Sequence, residues 1–292
     1  MLREAMIGAP VRVAGPTSKA FPRMRLNSVL PVAALRNCVR SFQQREAKPG
    51  AATIIYPITA RPDQILEFYF KERYIVHSYE SGVRDLAPRA VIVGPCTHHG
   101  ADLVLNGRFD VFTIQFQPAG FHQLFGVPMP EITDRAFDAR SVLGRAVAEL
   151  ERKLADAAEL DERTRIATEF LLRHAHRPTT IDAVAKVANE FLVEKGALRI
   201  ADAAEHAGLS VRQFERVFCE QVGIPPKLYA RIVRFHAALA AKQESADRRW
   251  TDVAYEFGYC DQMHMIRDFR DFSGENPTRF WGRLTSMPED WI

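Results

Sequence analysis

Hydrophobic and polar positions follow two different rhythms along this chain. Between 51 and 118, short β-branched and aromatic runs (TIIYPIT, ILEFYF, YIVHSY, AVIVGP) are separated by turn residues, which predicts strands. In LVLNGRFDVFTIQF, Asn106-Gly107 is a two-residue turn dipeptide between two such runs, and a β-hairpin is expected there. Phe112, Ile114 and Phe116 alternate with Thr113, Gln115 and Gln117, so the later strand should have one buried and one wetter face. Strands in this succession predict a small antiparallel barrel or sandwich.

After Pro118 the period becomes helical. FHQLFGVP reads as a short helix closed by Gly126 and Pro128. VLGRAVAELERKLADA and ERTRIATEFLLRHA have helical spacing, with Val142, Ala146, Leu150 and Leu154 on one side. HRPTT, 176–180, reads as a break, and IDAVAKVANEFLVEKG as a further helix leading into a wholly helical last hundred residues. The expected fold class is therefore α+β. A β-rich and then helical domain over 29–176 is followed by a linker helix over 177–197 and an all-α domain over 198–292.

That last region repeats itself. Asp202, Ala204 and Gly208 match Asp252, Ala254 and Gly258 at an offset of 50. Arg216, Phe218, Gly223 and Pro226 match Arg267, Phe269, Gly274 and Pro277 at an offset of 51. The extra residue falls just after Gly258, where a turn can absorb it. Each copy reads as helix, glycine-containing turn, helix, with Ser210 and Asp261 as the expected N-caps. This is the pattern of a helix-turn-helix, whose second helix can enter a DNA major groove.

In the first such helix Val211, Phe214, Val217 and Phe218 form the apolar stripe, with Arg212, Glu215 and Arg216 opposite and Gln213 beside them. In the second, Met265, Phe269 and Phe272 are expected inside. Met263, Ile266, Arg267 and Arg270 are expected outside, with Gln262 and His264 at the tip. Arginine can bond bidentately to guanine and glutamine to adenine, each worth roughly 1–3 kcal/mol of discrimination. An exposed arginine can also simply solvate a helix, but two at matched positions, Arg216 and Arg267, favour DNA contact. Between the copies, Leu228, Ile232, Phe235 and Leu239 share one stripe and predict a single connecting helix. At about 18 residues it would span about 27 Å, enough to hold two recognition helices about one DNA turn apart. Lys227, Arg231 and Arg234, with Arg270, are candidate phosphate contacts. Solvated surface charge accounts equally well for the first three.

Composition narrows the partners. The chain is 47% hydrophobic and 26% charged, ordinary for a soluble globular protein, with a net charge of +3. No apolar run approaches the roughly 18–20 residues of a membrane span. Residues 1–45 hold eight Lys/Arg against Glu4 alone, and 1–28 is expected to be a poorly ordered basic arm without the apolar core of a secretory peptide. Residues 199–292 hold 13 Lys/Arg and 14 Asp/Glu, so specificity must rest on a local basic face. Cys38, Cys96, Cys219 and Cys260 form no C-x-x-C pair and fit reduced thiols in a cytoplasm.

Residues 198–284 resemble the AraC/XylS family of bacterial transcription regulators, through GYCDQMHMIRDFRDFSGENPTRF at 258–280 and LSVRQFERVF at 209–218. By that resemblance the base-facing residues would be Arg212, Gln213, Glu215 and Arg216, then Gln262, Met263, His264, Ile266 and Arg267. The upstream 30–176, with LRNCVRSFQ, VGPCTHHG and FTIQFQPAGFHQLFGVPMPEITDR, is similar to a sensor domain of some AraC-type proteins. The resemblance implies promoter DNA as partner. A small-molecule effector, RNA polymerase and a second copy of the chain are further candidates, with a cytoplasmic location, no cofactor and no membrane. Residues 1–27 lie outside it.

The alternative is a cupin-like metal-dependent enzyme carrying a helical DNA-binding or structural half. Cys96, His98 and His99 in CTHHG, with His77, His122 and Glu80, are its only candidates. Neighbours on an extended strand point to opposite faces, so His98 and His99 would not share one interior. No G-x-S-x-G, H-E-x-x-H or phosphate-binding glycine loop is present, so no catalytic residue, metal or enzyme class is expected. Cys260, Asp261 and His264 also look like ligands. The repeat instead makes Asp261 a cap, His264 its third helical residue, and Cys260 a buried thiol stapled to Met265.

Overall fold

The computed structural model describes residues 24–47, 53–174 and 182–285. The expected break at 176–180 and most of the expected arm lie outside those residues. Among the described residues ten strands form two antiparallel sheets. β1 (Met24–Val29), β2 (Val39–Ala47), β9 (Phe109–Phe116), β4 (Ile65–Tyr69), β7 (Ala90–Val93) and β10 (Ala136–Asp138) make the larger, in that spatial order. β3 (Ile54–Ile58), β8 (Ala101–Leu105), β5 (Ile75–Ser78) and β6 (Arg84–Leu86) make the smaller. They face each other as a sandwich across Ile54, Tyr69, Val91, Leu105, Phe109 and Val111, and do not close into a barrel.

Three expectations change here. β8 pairs with β3 and β5 while β9 pairs with β2 and β4, so Asn106-Gly107 carries the chain between sheets and closes no hairpin. The turn chemistry is still needed, since Gly107 sits at φ +75°. Leu105 and Phe109 on either side of it are both buried, which favours a corner over a flat ribbon. Second, Thr113 and Gln115 are buried as deeply as their apolar neighbours, because the smaller sheet covers that face. Their polarity is used inside: Arg45 pairs with Glu67 and its Nη2 donates to Thr113 Oγ1 at 3.1 Å, and the Tyr69 hydroxyl donates to Glu67 Oε2 at 2.7 Å. A charge removed from water is tolerable only when paired in this way. Third, residues 24–28 of the expected arm belong to β1, paired with β2.

Helices α1 (Gly120–Phe125), α2 (Ala139–Leu143), α3 (Arg145–Asp156) and α4 (Leu160–His174) cover the other face of the larger sheet. Phe42, Phe112 and Phe116 meet Phe121, Leu150 and Phe170 there. Buried Arg163 of α4 clasps Asp110 of β9 with two bonds of 2.7 and 2.8 Å and lies 4.0 Å from the Phe70 ring centre.

The described residues from 182 to 285 are helical: α5 (Ala183–Val193), α6 (Ile200–His206), α7 (Val211–Val222), α8 (Pro226–Glu244), α9 (Trp250–Glu256), α10 (Gln262–Ser273) and α11 (Pro277–Thr285). Val184, Val187, Ala188 and Phe191 place α5 in the same core as the helices after it, so it is not a bare linker. The apolar stripe of α8 supplies Ile232 and Phe235, and the Phe235 ring meets Phe269 at 4.8 Å and Phe272 at 5.7 Å. Burying a phenylalanine fully is worth about 1.5–3 kcal/mol, so this one helix holds both repeats together.

Candidate nucleic-acid interface

The two repeats become two helix-turn-helix units, α6–α7 and α9–α10. Each first helix ends in a left-handed glycine, Gly208 at φ +67° and Gly258 at φ +69°. In both units the next residue bonds back into that helix. Leu209 N–H donates to Ala204 O, and Tyr259 N–H to Ala254 O, both at 3.0 Å. Tyr259, buried at 5% exposure, is thus the counterpart of Leu209, and Cys260 is the inserted residue. Cys260 is exposed, which corrects the expected buried thiol and its staple to Met265. An insertion in a turn bulges toward solvent, because the two flanking helices are already locked into the core.

Caps then start the recognition helices. Ser210 Oγ accepts from Gln213 N–H at 3.4 Å, and Gln213 Oε1 accepts from Ser210 N–H at 3.2 Å, which together form a capping box. Asp261 Oδ1 accepts from His264 N–H at 2.6 Å. The Gln213 side chain, expected at bases, is therefore folded back onto its own helix start.

Phe214 and Phe218 of α7 and Met265 and Phe269 of α10 are buried, which turns the opposite faces to solvent. Arg212, Glu215 and Arg216 are exposed on α7, as are Gln262, Met263, Arg267 and Arg270 on α10. His264 and Ile266 are half-buried, with the His264 ring edge-on to Tyr259 at 5.4 Å. Arg216 makes a loose contact of 3.6 Å with Glu220, both well exposed. Gln262, Ile266 and Arg270 line a groove of about 440 Å³ together with Trp250, Asn276 and Arg279.

The arginines of α8 point elsewhere. Arg231 bonds Asp268 at 2.7 Å and Asp271 at 2.8 Å, and Asp268 is fully buried. Arg234 Nη2 donates to Gly196 O at 3.1 Å, and its guanidinium lies over Tyr259. Lys227 is exposed. The Arg231–Asp268 pair had no signal in the sequence, since the two are far apart in the chain and Asp268 sits inside an otherwise apolar stripe.

The histidines of CTHHG have partners of their own and face apart. His99 Nδ1 lies 2.8 Å from Ile58 O, while His98 Nδ1 lies 3.1 Å from Thr97 Oγ1 and 3.6 Å from Asp134. Among the described residues no group of three His, Cys, Asp or Glu side chains is placed to hold a metal ion. No described helix is long and apolar enough to cross a membrane.

Comparison with known proteins follows the same division. Residues 203–283 match a family described as a helix-turn-helix domain, and residues 27–138 match a domain of unknown function (DUF6597). No curated protein matches. Among solved structures, ToxT from Vibrio cholerae O395 is 10% identical, covering 84% of this chain and 99% of that one, with a TM-score of 0.46. An unsaturated fatty acid-bound ToxT from Vibrio cholerae strain SCE256 is 13% identical, covering 84% and 96%, with a TM-score of 0.45. The AraC-like transcriptional activator CuxR is 10% identical, covering 75% and 88%, with a TM-score of 0.29. Apart from the first residues of α6, both helix-turn-helix units fall inside the matched helix-turn-helix domain, so this chain carries the DNA-binding domain of a transcription regulator.

Proposed function

We propose that this regulator binds a bipartite promoter site by placing α7 and α10 in successive major grooves. The observation that carries the reading is the repeat itself: Arg216 and Arg267 occupy matched positions on two solvent-facing helices joined by one continuous α8. At 19 residues, α8 is about 28 Å long, close to the roughly 34 Å of one DNA turn. Arg212, Glu215 and Arg216 then read one half-site, and Gln262, Met263, His264, Ile266 and Arg267 the other, with Gln213 serving the cap unless DNA displaces it. Lys227 and Arg270 are the better phosphate contacts, because Arg231 and Arg234 are already engaged within the protein.

The N-terminal half is, on this reading, the regulatory half, answering a small-molecule effector or a second copy of the chain. RNA polymerase is the partner through which a bound regulator would act, and the cytoplasm is the compartment that fits. The metal-enzyme alternative is disfavoured by the separate partners of His98 and His99. Genome-wide mapping of bound DNA, followed by titration of a bound fragment, tests the proposal. Arg216→Ala and Arg267→Ala should each weaken specific binding by roughly 1–3 kcal/mol with the fold intact. Wild-type affinity in both variants sinks it.

A further inference from the structure

VGPCTHHG and the end of the PMPEITDR stretch have no chemistry assigned by DNA binding, yet the fold brings them together. Arg61 and Cys96 exchange backbone hydrogen bonds of 2.8 and 2.9 Å. Asp134 N–H donates to Pro95 O at 2.8 Å, and the Asp134 carboxylate accepts from the Thr97 N–H at 2.6 Å and its hydroxyl at 2.7 Å. These bonds tie the loops at 58–64, 94–100 and 129–134 into one plate.

The plate meets the helical half at points that are equivalent in the repeat. Gly223 and Gly274 cap the C-terminal ends of α7 and α10, at φ +98° and +75°. A Cβ on Gly223 would lie 2.6 Å from Thr133 Oγ1, and one on Gly274 would lie 2.9 Å from His99 Cδ2. The turn glycines of the same units, Gly208 and Gly258, have similar φ but nothing within 4 Å. All four positions use the freedom of glycine, but only the pair ending the recognition helices also needs a bare backbone against the N-terminal half.

Hydrogen bonds reinforce both points. Thr133 Oγ1 donates to Gly223 O at 2.9 Å, and Gln64 Nε2 donates to Val222 O at 3.4 Å. Ala60 N–H donates to Phe272 O at 2.8 Å, and His236 Nε2 of α8 donates to Ala60 O at 2.7 Å. The last residues of both recognition helices are thus held by a single tied set of loops.

We propose that this plate acts as a template for DNA recognition, fixing the angle and distance between α7 and α10 and so setting the half-site spacing the protein accepts. Thr133, Gln64 and Ala60 are its positioning residues. The inference rests on the reading that α7 and α10 bind DNA. The plate holds only the C-terminal ends and leaves the Arg212, Arg216, Gln262 and Arg267 tips exposed, so it acts through geometry and not by covering the reading faces. Geometry is demanding here, because each added base pair moves the second half-site by roughly 3.4 Å and turns it by roughly 35°.

The test uses the full-length protein and double-stranded DNA selected with it from a random library. Spacing between the two half-sites is varied by up to two base pairs either way, and a single half-site serves as control. Wild type should lose on the order of 30-fold in affinity at the wrong spacing, as for one or two lost base contacts. Thr133→Val should reduce that penalty by about fivefold, the worth of one hydrogen bond, and Gly274→Ala should reduce it further. Gly82→Ala, which adds similar left-handed strain (φ +66°) with nothing within 4 Å and lies outside both helix-turn-helix units, should keep the wild-type profile, and all three should bind the single half-site as wild type does. If Gly274→Ala does not fold, Thr133→Val carries the test. An unchanged spacing profile in Thr133→Val and in folded Gly274→Ala overturns the template, as does an equal loss at every spacing and on the single half-site. If wild type selects no DNA at all, the DNA-binding reading has failed and the template falls with it.

Discussion

The two helix-turn-helix units share a plan and differ in how it is secured. α7 starts from a reciprocal capping box between Ser210 and Gln213, whereas α10 starts from Asp261 alone, after a turn lengthened by exposed Cys260. Where α7 has Val217, α10 has buried Asp268, held by Arg231 of α8. The first unit thus relies on local bonds and apolar packing, and the second adds a long-range ion pair. Caps, apolar stripe and terminal glycine survive in both copies because they build the helix. The outward positions, Arg212 and Glu215 against exposed Met263 and half-buried Ile266, are free to differ.

The difference is broken most sharply at Arg231. Arg231→Ala leaves Asp268 buried without its partner, so we expect a loss of about 3 kcal/mol, measured by chemical denaturation. Hydrogen exchange should rise in α10 before α7, since Asp268 lies on α10 and the buried residues described on α7 are Phe214, Phe218 and Val222, none of them charged. An equal rise in both units would remove the distinction.

The caps give a smaller effect. Ser210→Ala and Asp261→Ala should each cost about 1 kcal/mol, seen as faster exchange in the first turn of α7 or of α10 respectively. Gln213→Ala should add to the loss in α7, and its DNA affinity should fall less than that of Arg216→Ala if its amide stays on the cap.

Acidification should loosen the second unit first by a lesser amount. Burial lowers the pKa of His236 below its ordinary 6.5, outweighing the hydrogen bond to Ala60 O that favours the charged form. The unfolded chain therefore takes up this proton first as pH falls. The stability from neutral His236 is complete above about pH 6.5 and is lost as pH drops below it. Asp63 favours the charged ring and Arg61 opposes it. Protection near Phe272, taken relative to the intrinsic exchange rate at each pH, should fall between pH 7.5 and 5.5, and His236→Gln should flatten that dependence.

Cys260 should matter least. Burial pushes the Cys38 thiol up to about 11 and also raises those of Cys96 and Cys219. Cys260 should be alkylated first, and Cys260→Ser should change stability by no more than about 0.5 kcal/mol, as for other exposed positions. Slower alkylation of Cys260 than of Cys38 would place it inside after all.

The helical half was legible because its signals are local. A cap, a glycine five or so residues from an apolar stripe, and their recurrence at 50 and 51 need no knowledge of the rest of the chain. The limits were local too: counting placed the inserted residue only within the turn, and packing decided that Tyr259 goes in and Cys260 goes out. The strands were legible as strands, but their partners were not. Asn106-Gly107 has the chemistry of a tight turn whether the chain folds back on itself or steps to another sheet.

The sequence by itself determined the two helix-turn-helix units, the helix that joins them and the faces they turn to solvent, because side-chain period and capping are read within a few residues. Tertiary structure alone decided that Arg231 is spent on Asp268 and that Thr113 faces a buried charge. It also decided that both terminal glycines rest against one plate of loops. Those outcomes depend on which distant surfaces come within reach of a hydrogen bond, and no spacing along the chain records that distance.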